Sequence, residues 1–316
     1  GGRHTIYTEC PPKESAFGQR RAFCLEKIRR NKRHLPIYRR LYTGNSEKIN
    51  RKGIMNKTPL PTITIATVTY NAEETLPHTL ESVAEQTYPY VEHLIIDGCS
   101  KDHTIEVIHK YVDANAGNAH PHDIRFIREP DKGLYDAMNK ALEHASGDYI
   151  VFLNAGDRLH DTNTLQQAFG HITDANRPAI VYGETDCIDH NGHFVRPRRL
   201  QTPKQLDWRS FRYGMLVCHQ SFYVRTDLAV RETYNLDYRF SADFDWCIRL
   251  MKRAKQFGES IYNTNIILTD YLYEGLTTQN HKKSLWERFR IMVAHYGWSM
   301  TVIQHIRFVF RAFLKR

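Results

Sequence analysis

The sequence predicts an α/β fold built on a doubly wound, mainly parallel sheet. From Ile63 to Asp157, short apolar segments typical of buried strands alternate with segments whose apolar residues recur at helical spacing. Polar residues follow directly after these strands, at the edge where open parallel sheets bind ligands. Beyond Asp157 the alternation gives way to hairpin signals, which indicates mixed strands that extend the sheet.

Four strands and three helices are predicted in this first half. The strand Ile63–Thr69 is β-branched almost throughout and follows two prolines. The helices show apolar stripes, such as Leu134, Met138 and Leu142. Crossovers between the parallel strands are expected to be right-handed. The other strands are predicted at Val91–Asp97, 124–127 and Tyr149–Leu153, and the helices begin near Thr75, near Thr104 and at Leu134.

The second half is predicted to contain a hairpin and several helices. Ile180–Tyr182 has strand composition, and Asn191-Gly192 is a tight turn signal. Helical spacing recurs over residues 243–254 and again from Trp286, where aromatic and aliphatic residues are interleaved with Arg and Lys. Two interpretations of residues 286–316 stay open: packing on the domain, or a basic amphipathic surface that makes peripheral contact with an anionic membrane.

Positive charge is concentrated at the two ends of the chain. The net charge is +9, yet residues 1–54 carry 14 Lys and Arg against 4 Asp and Glu, and residues 282–316 carry 8 against 1. The middle is therefore acidic, so no nucleic-acid binding is expected of the main domain. We divide the chain into a basic N-terminal extension (1–54), a main domain (55–281) and basic amphipathic C-terminal helices (282–316). The extension is either a native arm or a non-native or disordered segment.

Polar clusters follow four predicted strands in succession. Turn chemistry accounts for one such cluster more easily than for four, and the carboxyl ends of parallel strands meet at one edge of a sheet. We therefore expect a binding site there. The clusters are Thr69-Tyr70-Asn71, Asp97 to Asp102, Asp131-Lys132-Gly133 and Asn154 to Asp157.

These clusters resemble the inverting, nucleotide-sugar-dependent glycosyltransferases of family 2. The likeness covers roughly Pro61 to Lys255 and is carried by the segments VTYNAEETL, IIDGCSKDHT, DKGLYDAMN, FLNAGD and SADFDW. It looks closest to the subgroup of bacterial capsule, O-antigen and colanic-acid biosynthesis. The resemblance implies a GT-A type fold, with a mainly parallel sheet, mixed strands on the acceptor side and C-terminal helices.

The resemblance assigns several residues to the nucleotide-sugar donor. Asp97 corresponds to the acid that binds the nucleotide base, with Thr69, Tyr70 and Asn71 on the same wall; its alternative is a turn-forming Asp before Gly98. Asp131 and Asp136 flank the loop that approaches the donor sugar, and Asp136 is alternatively a first-turn acid of the helix. Tyr135 and Asn139 are weaker candidates.

The expected metal motif is altered in this chain. Family members usually carry D-x-D where this sequence has Asn154-Ala155-Gly156. Because a divalent cation bridging a diphosphate prefers carboxylate oxygens, Asp157 is our predicted ligand for Mn²⁺ or Mg²⁺. Asn154 is expected to contribute an amide oxygen or a contact to the ribose.

The resemblance places the catalytic base at Asp243. An inverting transfer is a single in-line displacement, so one carboxylate that takes the proton of the acceptor hydroxyl is sufficient. Asp245 is expected on a different face of the same helix. His219 and Gln220 are predicted to face the diphosphate or the acceptor, and a structural role is the alternative for His219.

The expected function is the transfer of one sugar from a nucleotide-diphosphate sugar to a hydroxyl of a glycan or lipid-linked acceptor. The setting would be bacterial surface polysaccharide biosynthesis, with a cytoplasmic location and possible contact at the inner face of the membrane left open as above. Alternatives are a catalytically inactive nucleotide-sugar-binding relative and a nucleotidyltransferase. A dinucleotide-dependent oxidoreductase is not favoured, because the turn Tyr70 to Glu74 after the first strand has no glycine.

Overall fold

The computed structural model describes residues 5–8, 60–118, 121–273 and 281–313. Within these residues ten strands form one sheet. The strands are β1 (Thr5–Thr8), β2 (Ile63–Thr69), β3 (Val91–Asp97), β4 (Asp123–Arg128), β5 (Tyr149–Phe152), β6 (Arg158–Leu159), β7 (Ile180–Ile188), β8 (Phe194–Pro197), β9 (Phe222–Arg225) and β10 (Ile261–Leu272). The α-helices are α1 (Leu76–Ala84), α2 (Thr104–Asn115), α3 (Leu134–His144), α4 (Thr164–Phe169), α5 (Thr226–Ala229), α6 (Ala242–Gln256), α7 (His281–Tyr296) and α8 (Trp298–Phe313).

The sheet is mainly parallel, as the sequence predicts. The strand order is β1-β4-β3-β2-β5-β9-β7-β10-β6, and β8 pairs with β7. The strands from β1 to β5 in this order run parallel, whereas β9 is antiparallel to both β5 and β7. The loops after β2, β3, β4 and β5 therefore leave the sheet at one edge.

Alternation along the central strands explains why helices cover both faces. Ala66 and Val68 of β2 pack with α3 and α6 in the largest apolar cluster. Ile63 and Ile65 point to the opposite face, where α1 and α2 also bury apolar residues. Strands buried on both faces read as continuous apolar runs, which is why the sequence signal for β2 and β3 is strong.

Part of the predicted domain division falls on described residues. Of the N-terminal extension, Thr5–Thr8 form β1, which pairs in parallel with β4; the remainder of 1–54 lies outside the described residues, as do 274–280. The expected C-terminal helices are present as α7 and α8. No helix in the described part of the chain combines the length and apolarity needed to cross a bilayer.

Helix α7 packs on the segment that leads into α6. Its Glu287 carboxylate accepts hydrogen bonds from the backbone N–H groups of Arg239 (2.9 Å) and Phe240 (2.8 Å). Ser284 Oγ lies 2.9 Å from Ser241 Oγ, and Ile291 is fully buried. One side of α7 therefore packs on the domain, in line with one of the two interpretations of residues 286–316.

Candidate active site

The loops after β2 and β3 are locked together by hydrogen bonds. The Asn71 N–H donates to Ser100 Oγ (2.9 Å), and the Lys101 N–H donates to Asn71 Oδ1 (2.8 Å). Asn71 has a φ of 48°, a left-handed conformation that Asn tolerates better than most residues. These two hydrogen bonds hold the loop in place around Tyr70, whose side chain is 57% exposed at the edge of the sheet.

Asp97 is fully buried at the end of β3. Its Oδ2 accepts a hydrogen bond from the Ser100 N–H (2.9 Å), and its Oδ1 accepts one from Ser100 Oγ. Arg128 Nε lies 3.6 Å from the same carboxylate. These contacts match the turn-forming alternative for Asp97, and its role as the group that binds the base stays a prediction.

A carboxylate and an aromatic ring lie against Gly98. A Cβ atom at Gly98 would stand 2.3 Å from Asp131 Oδ2 and 3.4 Å from the Tyr70 ring, so only glycine leaves room for this arrangement. Burial raises the pKa of Asp131 above its usual range. Thr69 directly precedes Tyr70, and its Oγ1 atom is buried without a hydrogen-bond partner among the described residues. Tyr70 and Asp131 therefore place an aromatic ring and a carboxylate next to Gly98, and their role in binding a nucleoside stays a prediction.

Asp136 and Tyr135 lie along a cleft of about 650 Å³. Asp136 Oδ2 accepts a hydrogen bond from the Lys132 N–H (2.9 Å), which fits the first-turn alternative while leaving the side chain at the cleft. The opposite wall comes from the segment before α6, and Lys283 of α7 also lines it. A cleft of this size accommodates a sugar with part of an acceptor. Its lining residues are 132–136, Leu236, Tyr238, Arg239, Phe240 and Lys283.

Asp157 is buried just after β5 with uncharged partners. Its Oδ2 accepts a hydrogen bond from Gln220 Nε2 (2.7 Å), and its Oδ1 accepts one from the Leu272 N–H (3.0 Å). Burial raises the pKa of this carboxyl to about 6. Each oxygen keeps a further lone pair, and ligating carboxylates in proteins are commonly held by such hydrogen bonds. The donor chemistry and the buried negative charge therefore fit a hard divalent cation.

Asn154 joins this loop to His219. Asn154 Nδ2 lies 3.3 Å from His219 Nε2, and Asn154 Oδ1 is buried without a hydrogen-bond partner among the described residues. His219 and Gln220 begin a short 3₁₀-helix, so that Gln220 contacts Asp157 while His219 turns the other way. An unpartnered buried amide oxygen is what a bound ligand would satisfy.

Asp243 is held at the start of α6 by two side chains from distant parts of the chain. The Tyr135 hydroxyl donates to Asp243 Oδ1 (3.0 Å), and His219 Nδ1 lies 3.4 Å from Asp243 Oδ2. The Asp243 side chain is 13% exposed. Tyr135 is a weak candidate from sequence, because an aromatic residue on a helix usually packs in the core. Its hydrogen bond to Asp243 is visible only in the structure.

The surroundings of Asp243 keep it ionised. Burial alone would raise its pKa, but the hydrogen bond and charge of His219, the charge of Arg288 and the hydrogen bond from Tyr135 outweigh burial and lower the pKa below its usual range. Asp243 contacts Tyr135, which lines the cleft, and an ionised carboxylate can accept a proton from a hydroxyl at neutral pH. Arg288 belongs to α7, and nothing in the sequence pattern marks it.

Two neighbouring candidates have structural partners instead. Asp245 forms ion pairs with Arg249 Nε and with His295 Nε2 of α7, both at 2.7 Å, so it faces away from Asp243 as expected. Asn139 makes paired hydrogen bonds with the backbone of Tyr234, at 3.0 and 2.7 Å. Both residues fix the position of elements that carry the site.

A second group of possible metal ligands lies apart from Asp157. In the described ranges, His160, Asp186 and Asp270 form one cluster whose ligand atoms all lie within 4.8 Å of one another. Thr269 Oγ1 donates to the Gln220 carbonyl (2.8 Å), so its neighbour Asp270 points to the other side of β10. A hydrogen bond joins His160 to Asp270 (2.7 Å), and Asp186 lies opposite Asp270 in the pairing of β7 with β10. The sequence did not indicate this group.

The fold is shared with solved glycosyltransferase structures. S. aureus TarS 1–349 in complex with UDP matches with a TM-score of 0.56 and 17% identity over 74% of this chain and 64% of that one. The mannosyltransferase PcManGT from Pyrobaculum calidifontis, in complex with GDP-Man and Mn²⁺, matches with a TM-score of 0.55 and 17% identity over 86% and 72%. The chain thus spans just under two thirds of the TarS fragment. These matches confirm the expected GT-A type fold.

Sequence comparisons agree with the fold. A similar protein is the PGL/p-HBAD biosynthesis glycosyltransferase of Mycobacterium bovis (strain BCG / Pasteur 1173P2), which is 30% identical over 190 residues, covering 60% of this chain and 69% of that protein. The family model for glycosyl transferase family 2 matches residues 64–231, a range that includes the loops after β2 to β5 and His219 but ends before Asp243. Since this match covers more than half of its length, the chain belongs to glycosyl transferase family 2.

Proposed function

We propose that the protein transfers one sugar from a nucleotide-diphosphate sugar to a hydroxyl group of a glycan or lipid-linked acceptor, with inversion at the anomeric carbon. The observation that carries the proposal is the position of Asp243, ionised and held by Tyr135 and His219 beside the cleft. The names of the similar proteins, and the ligands bound in the similar structures, support a nucleotide-sugar donor and a role in bacterial surface polysaccharide or glycoconjugate biosynthesis.

The chemistry requires one proton transfer and one displacement. Asp243 accepts the proton of the acceptor hydroxyl as its oxygen forms a bond to the anomeric carbon. The bond from that carbon to the diphosphate oxygen breaks, and the nucleoside diphosphate leaves with the electron pair. Because the attack and the departure lie on opposite faces of the sugar, the configuration inverts.

The donor would lie across the edge of the sheet. We assign the nucleoside to the surface formed by Thr69, Tyr70, Asn71 and Asp131, with Asp97 behind it, and the diphosphate to the region of Asn154, His219 and Gln220. Asp157 would hold a divalent cation, Mn²⁺ or Mg²⁺, which when bound neutralises charge on the departing diphosphate. We assign Asp136 to the end of the cleft that receives the donor sugar. We propose that the reaction takes place in the cytoplasm.

The test is an assay with a panel of nucleotide sugars and of glycan and lipid-linked acceptors, with the anomeric configuration of the product determined by NMR. Asp243→Asn should lower turnover by ~10²–10⁴ while nucleotide affinity stays near that of the wild type. Asp245→Asn is the matched control two residues along the same helix. It should lower the stability of the fold and change turnover by less than about tenfold, because its partners are structural.

Each alternative predicts a different result. A catalytically inactive relative would bind nucleotide sugars without transfer or hydrolysis, and a nucleotidyltransferase would release pyrophosphate. Wild-type turnover in Asp243→Asn, or a product that retains the donor's anomeric configuration, would refute the proposed mechanism.

A further inference from the structure

Helix α8 is amphipathic in the opposite sense to a normal surface helix. Its buried residues include Thr301 and Gln304, which are polar. Five apolar residues of α8 are exposed: Trp298, Val302, Ile303, Ile306 and Phe310 are 42–65% exposed. A surface helix of a globular domain buries its apolar side, so this pattern indicates that the exposed side has its own partner.

The exposed apolar surface continues onto α7. The Trp286 ring stacks on Phe289 at 5.6 Å between centroids, and Phe289 meets Trp298 edge-on at 5.5 Å. Trp286 and Trp298 are 63% and 65% exposed, which is high for tryptophan. We call this surface the C-terminal apolar face, and it consists of Trp286, Phe289, Trp298, Val302, Ile306 and Phe310.

We infer that the C-terminal apolar face docks the protein on an anionic lipid bilayer. The face is bordered by basic side chains, with Lys283 on α7 and Arg307 on α8 both exposed. Residues 282–316 carry 8 Lys and Arg against 1 acidic residue. A basic, aromatic-rich helix with a wide apolar side and no spanning length is the composition of helices that lie in the membrane interface.

Charge decides between a bilayer and a second copy of the chain. Two copies joined through this face would bring two strongly basic surfaces together, which like-charge repulsion disfavours. An anionic leaflet attracts the same charges, and each Lys or Arg near the surface adds to that attraction. Tryptophan is also enriched at the boundary between lipid and water.

The face is rigidly connected to the proposed catalytic machinery. Glu287 bonds the backbone ahead of α6, Ser284 meets Ser241, and His295 pairs with Asp245 two residues from Asp243. Lys283 lines the cleft while lying at the border of the face. A bilayer under this face would therefore lie beside the mouth of the cleft. This step rests on the proposed function: a cleft that opens beside a bilayer favours a lipid-linked acceptor over a soluble glycan.

The test is co-sedimentation of the full chain with phospholipid vesicles. Wild-type protein should bind vesicles of phosphatidylglycerol and phosphatidylcholine, bind pure phosphatidylcholine more weakly, and lose affinity as salt is raised. Ile306→Glu and Phe310→Glu should each lower binding by roughly tenfold or more. The matched control is Phe194→Glu on β8, because Phe194 is 62% exposed and Phe310 is 63% exposed. The control should bind vesicles as the wild type does.

Three results would overturn the inference. They are wild-type protein that remains in the supernatant with anionic vesicles, both α8 variants binding as the wild type, or a wild-type dimer that Ile306→Glu dissociates without any vesicle binding. Calorimetric titration with UDP and GDP separates this failure from that of the proposed function. Nucleotide binding without vesicle binding removes only the docking face, whereas vesicle binding without nucleotide binding removes only the transferase proposal.

Discussion

Two largely buried carboxylates in this protein have pKa values that are shifted in opposite directions. In the loop after β5, Asp157 is bonded by Gln220 and by a backbone N–H, and burial raises its pKa to about 6. At the start of α6, Asp243 is bonded by Tyr135 and His219 near the charge of Arg288, and its pKa is lowered. Two adjacent residues contact the two carboxylates: His219 contacts Asp243, and Gln220 contacts Asp157.

The difference shows that the partners of a carboxylate decide whether the effect of burial on its pKa is outweighed, as at Asp243, or prevails, as at Asp157. Asp157 accepts hydrogen bonds from neutral groups, and neither these bonds nor the charge of nearby His219 outweighs the burial that raises its pKa. At Asp243, the hydrogen bond and charge of His219, the charge of Arg288 and the hydrogen bond from Tyr135 hold the pKa below its usual range, so Asp243 remains an ionised base. A site that must attract a cation and also accept a proton can use the same residue type twice in this way.

Replacing Asp157 is the strongest way to test this comparison. Asp157→Asn keeps the shape and removes the charge, so it should abolish the effect of the cation on nucleotide binding. In the wild type, we expect Mn²⁺ to raise the affinity for UDP or GDP by at least about tenfold, measured by calorimetry. In the variant the affinities with and without Mn²⁺ should be equal.

The matched control for that experiment is Asp270→Asn in the separate cluster with His160 and Asp186. The effect of Mn²⁺ should survive in this variant. If it is lost there and kept in Asp157→Asn, the cation binds at the other cluster, and the comparison between Asp157 and Asp243 loses its functional meaning.

Removing His219 tests the other side of the comparison. In His219→Gln the hydrogen bond and charge that lower the pKa of Asp243 are weakened, so burial dominates and the pKa rises. A larger fraction of Asp243 is then protonated at acidic pH, and the acid limb of kcat/KM moves to higher pH. The measurement is kcat/KM against pH for both proteins. An acid limb that moves to lower pH, or does not move, would contradict the assigned cause.

The placement of the residues proposed to bind the nucleotide is predictable because it depends on local sequence. Thr69, Asp97 and Asn154 each lie at or directly after the end of a strand, and parallel strands bring such ends together wherever the loops go. The strong apolar runs of β2 and β3 fix where those ends fall. The sequence does not reveal the hydrogen bonds within and between these loops. The hydrogen bonds that Asp97 accepts from Ser100 are therefore visible only in the structure.

The group around the proposed base Asp243 is less predictable because it is assembled from distant segments. Tyr135, His219 and Asp243 come from three separate elements, and their contacts depend on how α3, α6 and β9 pack. The strand β10 is only half-buried over much of its length, and its apolar residues do not alternate regularly with polar ones. Arg288 is harder still, since a charged residue on an amphipathic helix is ordinarily a solvated one.

Arg288 gives the smallest and most specific test of the comparison. Its Nε atom is buried without a hydrogen-bond partner among the described residues, and its charge lowers the pKa of Asp243 less than His219 does. Arg288→Ala should therefore move the acid limb of kcat/KM to higher pH by less than His219→Gln does. Arg290→Ala, two residues along α7 on an exposed position, should leave the limb unchanged. Equal shifts in the two arginine variants would mean that general surface charge, and not the position of Arg288, controls Asp243.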